Sequence, residues 1–229
     1  MKFEGERSIM EEFWNQSWDH VDMNRVSKYI EHTKSAEPSS DSIIDCLRAQ
    51  QAKVVCDAGC GCGAYSLKLA LNGFKVFGFD ISAAAVRLSK ELLLSRNIEH
   101  GDFLACDILA TGFEDNQFDA VVSRDVIDHM PLMNGIAAIR ELYRIVKKGG
   151  SIVITLDQSD AEYETEPHIV NSDGDYIFTG GKWNGMVFHP YSENEVSRLV
   201  QVGTIAELES AADGFLVVIV KQEDLNGRL

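Results

Sequence analysis

Asp57-Ala-Gly59-Cys60-Gly61-Cys62-Gly63 is the stretch of this 229-residue chain whose residue types and spacing carry the clearest chemistry. Glycines at every second position let a backbone turn tightly and approach a ligand. A helix starting just after them would offer free N–H groups to an anion. The spacing is G-x-G-x-G, whereas the dinucleotide fingerprint G-x-G-x-x-G would need its third glycine at Ala64. Asp57 adds a carboxylate two residues before the first glycine, where it would oppose a doubly anionic pyrophosphate. It suits instead a ligand that carries an ammonium or sulfonium next to a carboxylate. The ligand's carboxylate would take the helix N–H groups, and its cationic side would face Asp57.

S-adenosylmethionine (SAM) is such a ligand, and other acidic residues are spaced to bind the rest of it. Asp80 closes a second apolar run, where a carboxylate can accept both hydroxyls of a ribose; a nicotinamide dinucleotide would ask for the same residue. Asp107, followed by Ile108, lies beyond a third run. There a carboxylate can accept from an exocyclic amine and an aliphatic side chain can cover a purine face. His129, in Asp125-Val-Ile-Asp128-His129, follows a fourth run and is the candidate general base, set against the plainer reading of a structural histidine. Asp125, Asp128 and His129 at i, i+3, i+4 would share a helical face, a spacing known from divalent-metal sites. Three ligands are too few, and no metal is expected. Cys60 and Cys62 read as small side chains between loop glycines, because C-x-C lacks the second pair of a zinc site. Trp14, Trp18, Tyr29, Asp128, Trp183, His189 and Tyr191 are the candidate lining of a pocket for a second substrate beside that ligand. Each aromatic among them could equally be ordinary core.

These residues need elements to position them. Near-continuous apolar runs are expected as strands at 54–56, 75–79, 98–104, 118–122 and 151–155. Helical stretches separate them, one at 64–71 and one capped by Ser82. Ile139, Leu142, Tyr143 and Val146 give a helical stripe that runs into Lys147-Lys148-Gly149-Gly150, read as its cationic, glycine-stopped end. Such alternation predicts a parallel sheet covered on both faces, an α/β doubly wound Rossmann-like fold. Ser192 and Glu195 form a capping box for a further helix. Two last strands, 204–208 and 215–220, are joined by Ala-Ala-Asp-Gly, too short for a parallel crossover. Residues 157–190 show little periodicity, and so long an excursion is usually functional. The chain reads as one domain: a helical cap over 1–52, a cofactor core over 53–156, an acceptor-side insertion or lid over 157–190, and a helix with a strand pair over 191–229.

Composition bounds the partners. The chain is 45% hydrophobic with four prolines and five cysteines, enough for one sizeable core. The net charge of −15 repels phosphate backbones and anionic headgroups, so neither nucleic acid nor a membrane is expected as a partner. The opening Met-Lys-Phe-Glu-Gly-Glu-Arg shows no apolar leader segment, and a cytoplasmic location with reduced thiols is the expectation.

The sequence resembles the class I SAM-dependent methyltransferases on five stretches: Val-Val-Cys-Asp-Ala-Gly-Cys-Gly-Cys-Gly at 54–63, Gly-Phe-Asp-Ile-Ser at 78–82, Ala-Cys-Asp-Ile at 105–108, Phe-Asp-Ala-Val-Val-Ser at 118–123, and Leu-Tyr-Arg-Ile-Val-Lys-Lys-Gly-Gly at 142–150. The resemblance implies a seven-stranded sheet of order 3-2-1-4-5-7-6 with strand 7 antiparallel, SAM as cofactor and S-adenosylhomocysteine (SAH) as product. It carries methionine-end binding to Asp57, Gly59, Cys60 and Gly61, ribose binding to Asp80, and adenine contacts to Ile81, Asp107 and Ile108. Ser123 and Arg124 would border the cofactor. The Asn/Asp-Pro-Pro-aromatic motif of amino-methylating nucleic-acid enzymes is replaced by Ser123-Arg-Asp-Val, which favours a small-molecule acceptor; a protein acceptor stays open. A non-catalytic SAM-binding protein and a nicotinamide-dependent oxidoreductase are the alternatives, the latter opposed by Asp57 and the glycine spacing. Oligomeric state is not legible here.

Overall fold

In the computed structural model, which describes residues 2–35, 39, 41–157, 161–211 and 214–222, the apolar runs pair as expected. β1 (Val54–Ala58), β2 (Lys75–Asp80), β3 (Phe103–Ala105), β4 (Phe118–Arg124) and β5 (Val146–Asp157) are parallel neighbours in the order β3-β2-β1-β4-β5. β6 (His168–Val170), β7 (Tyr176–Phe178) and β8 (Val187–Phe188) form a separate small sheet. β9 (Thr204–Ala211) and β10 (Gly214–Val220) complete the main one, β10 lying antiparallel between β5 and β9. The strand order is the one the resemblance implies. The connection through Ala212-Asp213 lies outside the described residues.

Eight helices are described: α1 (Lys2–Asp19), α2 (Met23–Thr33), α3 (Ser42–Ala49), α4 (Ala64–Leu71), α5 (Ala83–Ser95), α6 (Leu132–Ile145), α7 (Ala161–Thr165) and α8 (Glu193–Leu199). Strand alternation divides the core between the two sheet faces. Cys56, Val121 and Ile152 pack with α6 and α8 on one side, while Val55, Val122 and Val153 pack with α2 to α5 on the other. Each such fully buried aliphatic side chain contributes about 1.5–3 kcal/mol. Ser82 caps α5 by accepting from Ala85 N–H, and Ser192 with Glu195 forms the capping box of α8.

Three expectations are corrected. The third strand is shorter than 98–104, because Asn97 takes a left-handed turn (φ 54°) and Ile98 N–H closes back on Leu93. The helix before β5 stops at Ile145 rather than in Lys147-Lys148-Gly149-Gly150. Its terminal carbonyls are taken by a distant cation: Lys221 Nζ donates to the carbonyls of Tyr143 at 2.6 Å and Val146 at 2.9 Å, while Lys147 pairs with Asp119 at 2.7 Å. Residues 157–190 contain the antiparallel β6-β7-β8 sheet, whose strands of two or three residues are too short to print a period. Its core of Phe178, Met186 and Phe188 packs against Phe13 and Trp14 of α1. Among the described residues no helix is long and apolar enough to cross a membrane.

Candidate functional site

The carboxyl ends of β1, β2, β4 and β5 open onto a cavity of about 990 Å³, with α1 and α2 along one wall. Asp57, Gly59, Cys60, Gly61, Asp80, Ile81, Asp107, Ile108 and Arg124 all line it. Asp57 is 2% exposed and accepts a hydrogen bond from Ser66 Oγ at 2.5 Å. Burial, reinforced by the charge of Asp80, raises its carboxyl to about 6 against the pull of Ser66 and Arg124. Asp80 accepts from Ser82 N–H and Gly61 N–H, both at 2.9 Å; burial raises its carboxyl while these bonds hold it down. Gly59 N–H and Cys60 N–H both donate to the Phe79 carbonyl, at 2.8 and 2.9 Å. Gly59 has φ +78°, and a Cβ there would lie 2.3 Å from Val126 Cγ2, so no other residue fits. Asp107 accepts from Leu109 N–H at 2.7 Å. The Arg124 guanidinium stacks on the Tyr65 ring, 4.3 Å from its centroid, and lies 3.9 Å from Asp125.

The other end of the cavity is assembled from more distant pieces. His129 ends a short 3-10 turn (Ile127–His129), and its ring lines the cavity. It meets Trp14 edge-on at 5.1 Å between centroids and leans on Phe188 at 5.9 Å. Burial pulls its imidazole down to about 4 although the carboxylates of Asp157 and Asp125 oppose this, so the ring is neutral at pH 7. Its Nδ1 is buried without a partner among the described residues. Trp14 and Trp18 line the roof, Trp18 reaching so close to Gly61 that a Cβ there would sit 3.1 Å from Cζ2. Tyr29 stands at the cavity edge, 54% exposed.

Five sequence candidates lie off this cavity. Ser123 is fully buried on β4, turned by strand alternation away from Arg124. Asp128 is fully buried behind His129, with Oδ2 accepting Asp157 N–H at 3.0 Å; burial raises its carboxyl to about 7. His189 is fixed by Asp175 at 2.8 Å, and Tyr191 packs edge-on against His189 in the main core. Trp183 belongs to the small-sheet cluster, beside Tyr163. None of the described residues 161–211 lines the cavity, so this described part of the insertion is not its roof. It buttresses α1 from behind instead. The shared face expected for Asp125, Asp128 and His129 does not form, because Asp125 is left-handed (φ 54°) and the 3-10 turn follows. Among the described residues no group of three or more His, Cys, Asp or Glu side chains could hold a metal ion.

Residues the sequence did not single out also line the cavity. Thr155 and Asp157 lie at the end of β5, Gly214 and Phe215 begin β10, and Arg25 lies on α2. Thr155 Oγ1 holds Asp125 Oδ1 at 2.5 Å and accepts from its N–H at 3.0 Å. The ends of strand-like apolar runs were the available signal for Thr155 and Asp157.

Known proteins resemble this chain in sequence and in fold. A family model described as a methyltransferase domain matches residues 49–208. Magnesium protoporphyrin IX methyltransferase of Arabidopsis thaliana is 31% identical over 63% of this chain and 49% of its own length. Ubiquinone biosynthesis O-methyltransferase of Alkalilimnicola ehrlichii is 28% identical over 54% of this chain and 49% of its own. The chain thus spans about half the length of these curated relatives. The solved magnesium protoporphyrin IX methyltransferase of Synechocystis PCC 6803 with bound SAH superposes with a TM-score of 0.65 at 19% identity, over 94% of this chain and 100% of that one. The strand order, the acid-and-glycine loop at the end of β1 and the family match agree, and the chain belongs to the methyltransferase-domain family of class I SAM-dependent methyltransferases.

Proposed function

We propose that this protein transfers a methyl group from SAM to a small-molecule acceptor. The observation that carries the reading is the state of the glycine loop's amides. The N–H groups of Gly59 and Cys60 are bound to Phe79 and that of Gly61 to Asp80, so they form no cradle for a pyrophosphate. A buried carboxylate, Asp57, stands beside them, and it matches the ammonium of a methionine end. Asp80 then takes the ribose hydroxyls with the lone pairs its backbone bonds leave over, and Asp107 and Ile108 hold the adenine.

SAM supplies an electrophilic methyl on its sulfonium. In the transfer the sulfur–carbon bond breaks as the acceptor's lone pair forms a new bond to carbon, and a neutral thioether leaves. The chain's task is to align the acceptor behind the methyl and exclude water. The aromatic roof of Trp14 and Trp18 supports that exclusion, with His129 beside the acceptor. A base near 4 is too weak to strip a hydroxyl before transfer, so neutral His129 accepts a hydrogen bond that orients the acceptor's lone pair, and it takes the proton once methylation has made that atom cationic and acidic. Relatives named as O-methyltransferases and the net charge support a small acceptor over nucleic acid.

The test is a thermal-shift titration with SAM, SAH and NADH in parallel. At a hundredfold excess over the dissociation constant, a ligand stabilises by about 2.7 kcal/mol, a rise of about 5–10 °C for a domain of this size. A rise with the two adenosyl ligands alone is expected. A rise with NADH alone would sink the reading.

A further inference from the structure

Although the described residues of the insertion beyond Asp157 stay off the cavity, both of its roots are held by one residue. At the first root, Asp157 N–H donates to Asp128 Oδ2 at 3.0 Å; at the second, His189 N–H donates to the Asp128 carbonyl at 2.7 Å. Asp128 is fully buried, where an apolar side chain would fill the space without the desolvation penalty of a carboxyl. The same turn is held from a second side. Asp175 of the insertion accepts Leu132 N–H at the start of α6 at 3.2 Å and binds His189 Nδ1 at 2.8 Å. His129, one residue on, lines the cavity with Asp157 and Asp125 facing its ring, and Phe188 of the insertion and Trp14 packed against it.

We propose that Asp128 is a positioning residue of the methyl-transfer site: it locks both ends of residues 157–190 to the turn bearing His129 and so keeps the acceptor-side wall closed to water. The proposal rests on placing the acceptor beside His129, whatever that acceptor is. It links the insertion to the imidazole of His129 in the cavity wall, through side chain and main chain of a single residue.

The test uses the full chain with SAH as probe and follows His129 by NMR with labelled histidine. Asp128→Ala leaves Asp157 N–H without its acceptor; water reaches the ring, and the His129 titration moves up from about 4. The expected rise is about one pH unit or more, with SAH affinity changed less than ~threefold. Asp128→Asn keeps a carbonyl oxygen for that N–H and restores most of the wild-type titration. Asp128→Leu reads the same as alanine should the latter fail to fold. Lys221→Met, which releases the end of α6, lowers the melting temperature and leaves His129 unmoved. A folded Asp128→Ala or Asp128→Leu protein that titrates His129 as the wild type does overturns the proposal, as does an equal shift in Lys221→Met. Failure of the wild type to bind SAH overturns the reading beneath it, and is seen before any variant is made.

Discussion

Between Asp57 and Ile108 the cavity wall is made by short segments at the ends of β1, β2 and β3, and their hydrogen bonds run within the loop, to the next strand and to the adjoining helices α4 and α5, through Ser66 and Ser89. Around His129 the wall is gathered from α1, the ends of β4 and β5, and the start of β10, and is fixed from behind by the insertion. The first region is specified by backbone conformation, where one wrong atom is intolerable. The second is specified by packing, where neighbours can adjust. Substitutions in the first should therefore strike cofactor affinity hard and those in the second barely at all.

The largest effect is expected from Gly59→Val. A side chain there meets Val126 at once and must adopt φ +78°. Strain and overpacking together destabilise by about 3 kcal/mol or more, a drop of about 6–12 °C in melting temperature. SAH should give no further thermal shift. Asp80→Ala comes next. It removes the partner of Gly61 N–H and Ser82 N–H as well as the carboxylate proposed to accept from the ribose. About 2–3 kcal/mol of binding is at stake, a fall of roughly 30- to 150-fold in SAH affinity by calorimetry. Retention of tight binding in either variant would break the contrast.

Asp57 sharpens the comparison through pH. Its carboxyl is raised to about 6, and only its ionised form suits a cationic ligand end. SAH affinity should be constant above that value and fall by up to about tenfold per unit below it. Stability without ligand carries the opposite sign. A carboxyl raised in the folded state favours folding below its unfolded value, and that contribution is lost as pH rises through about 6. Asp57→Asn should therefore raise the ligand-free melting temperature at pH 8, by about 2 kcal/mol of stability, while flattening the pH profile of SAH binding. A variant that binds SAH with the wild-type pH profile would remove Asp57 from the cofactor end.

The same contrast explains what could be read from the sequence. The glycine loop, Asp80 and Asp107 were legible as cavity-lining residues because strand-end acids and glycines mark backbone geometry one residue at a time; the apolar runs and one short connection gave a parallel sheet with an antiparallel last pair, and the strand order came only with the family resemblance. His189, Tyr191 and Trp183 misled because an aromatic or imidazole in a long irregular stretch looks alike whether it faces a ligand or a core. Asp128 was placed in the pocket on helical spacing, and the left-handed Asp125 broke that spacing. Lys221 shows the limit most plainly: the cation at the end of α6 comes from another strand, and no local pattern could announce it.

The smallest effect on the cofactor is expected from Phe188→Leu, and it tests the comparison from the other side. Phe188 is fully buried between the small sheet and α1, its ring 4.6 Å from Tyr163 and 5.9 Å from His129. Leucine fills most of the volume but loses the aromatic contacts, which costs about 1 kcal/mol, or about 2–4 °C in melting temperature. If packing there holds only the acceptor side, SAH affinity should stay within ~twofold of wild type while the emission of Trp14, which shares this cluster, changes. A fall in SAH affinity as large as that of Asp80→Ala would mean that the insertion acts on the glycine loop through α1, by way of Trp18 against Gly61. The two ends of the cavity would then be one mechanical unit rather than two.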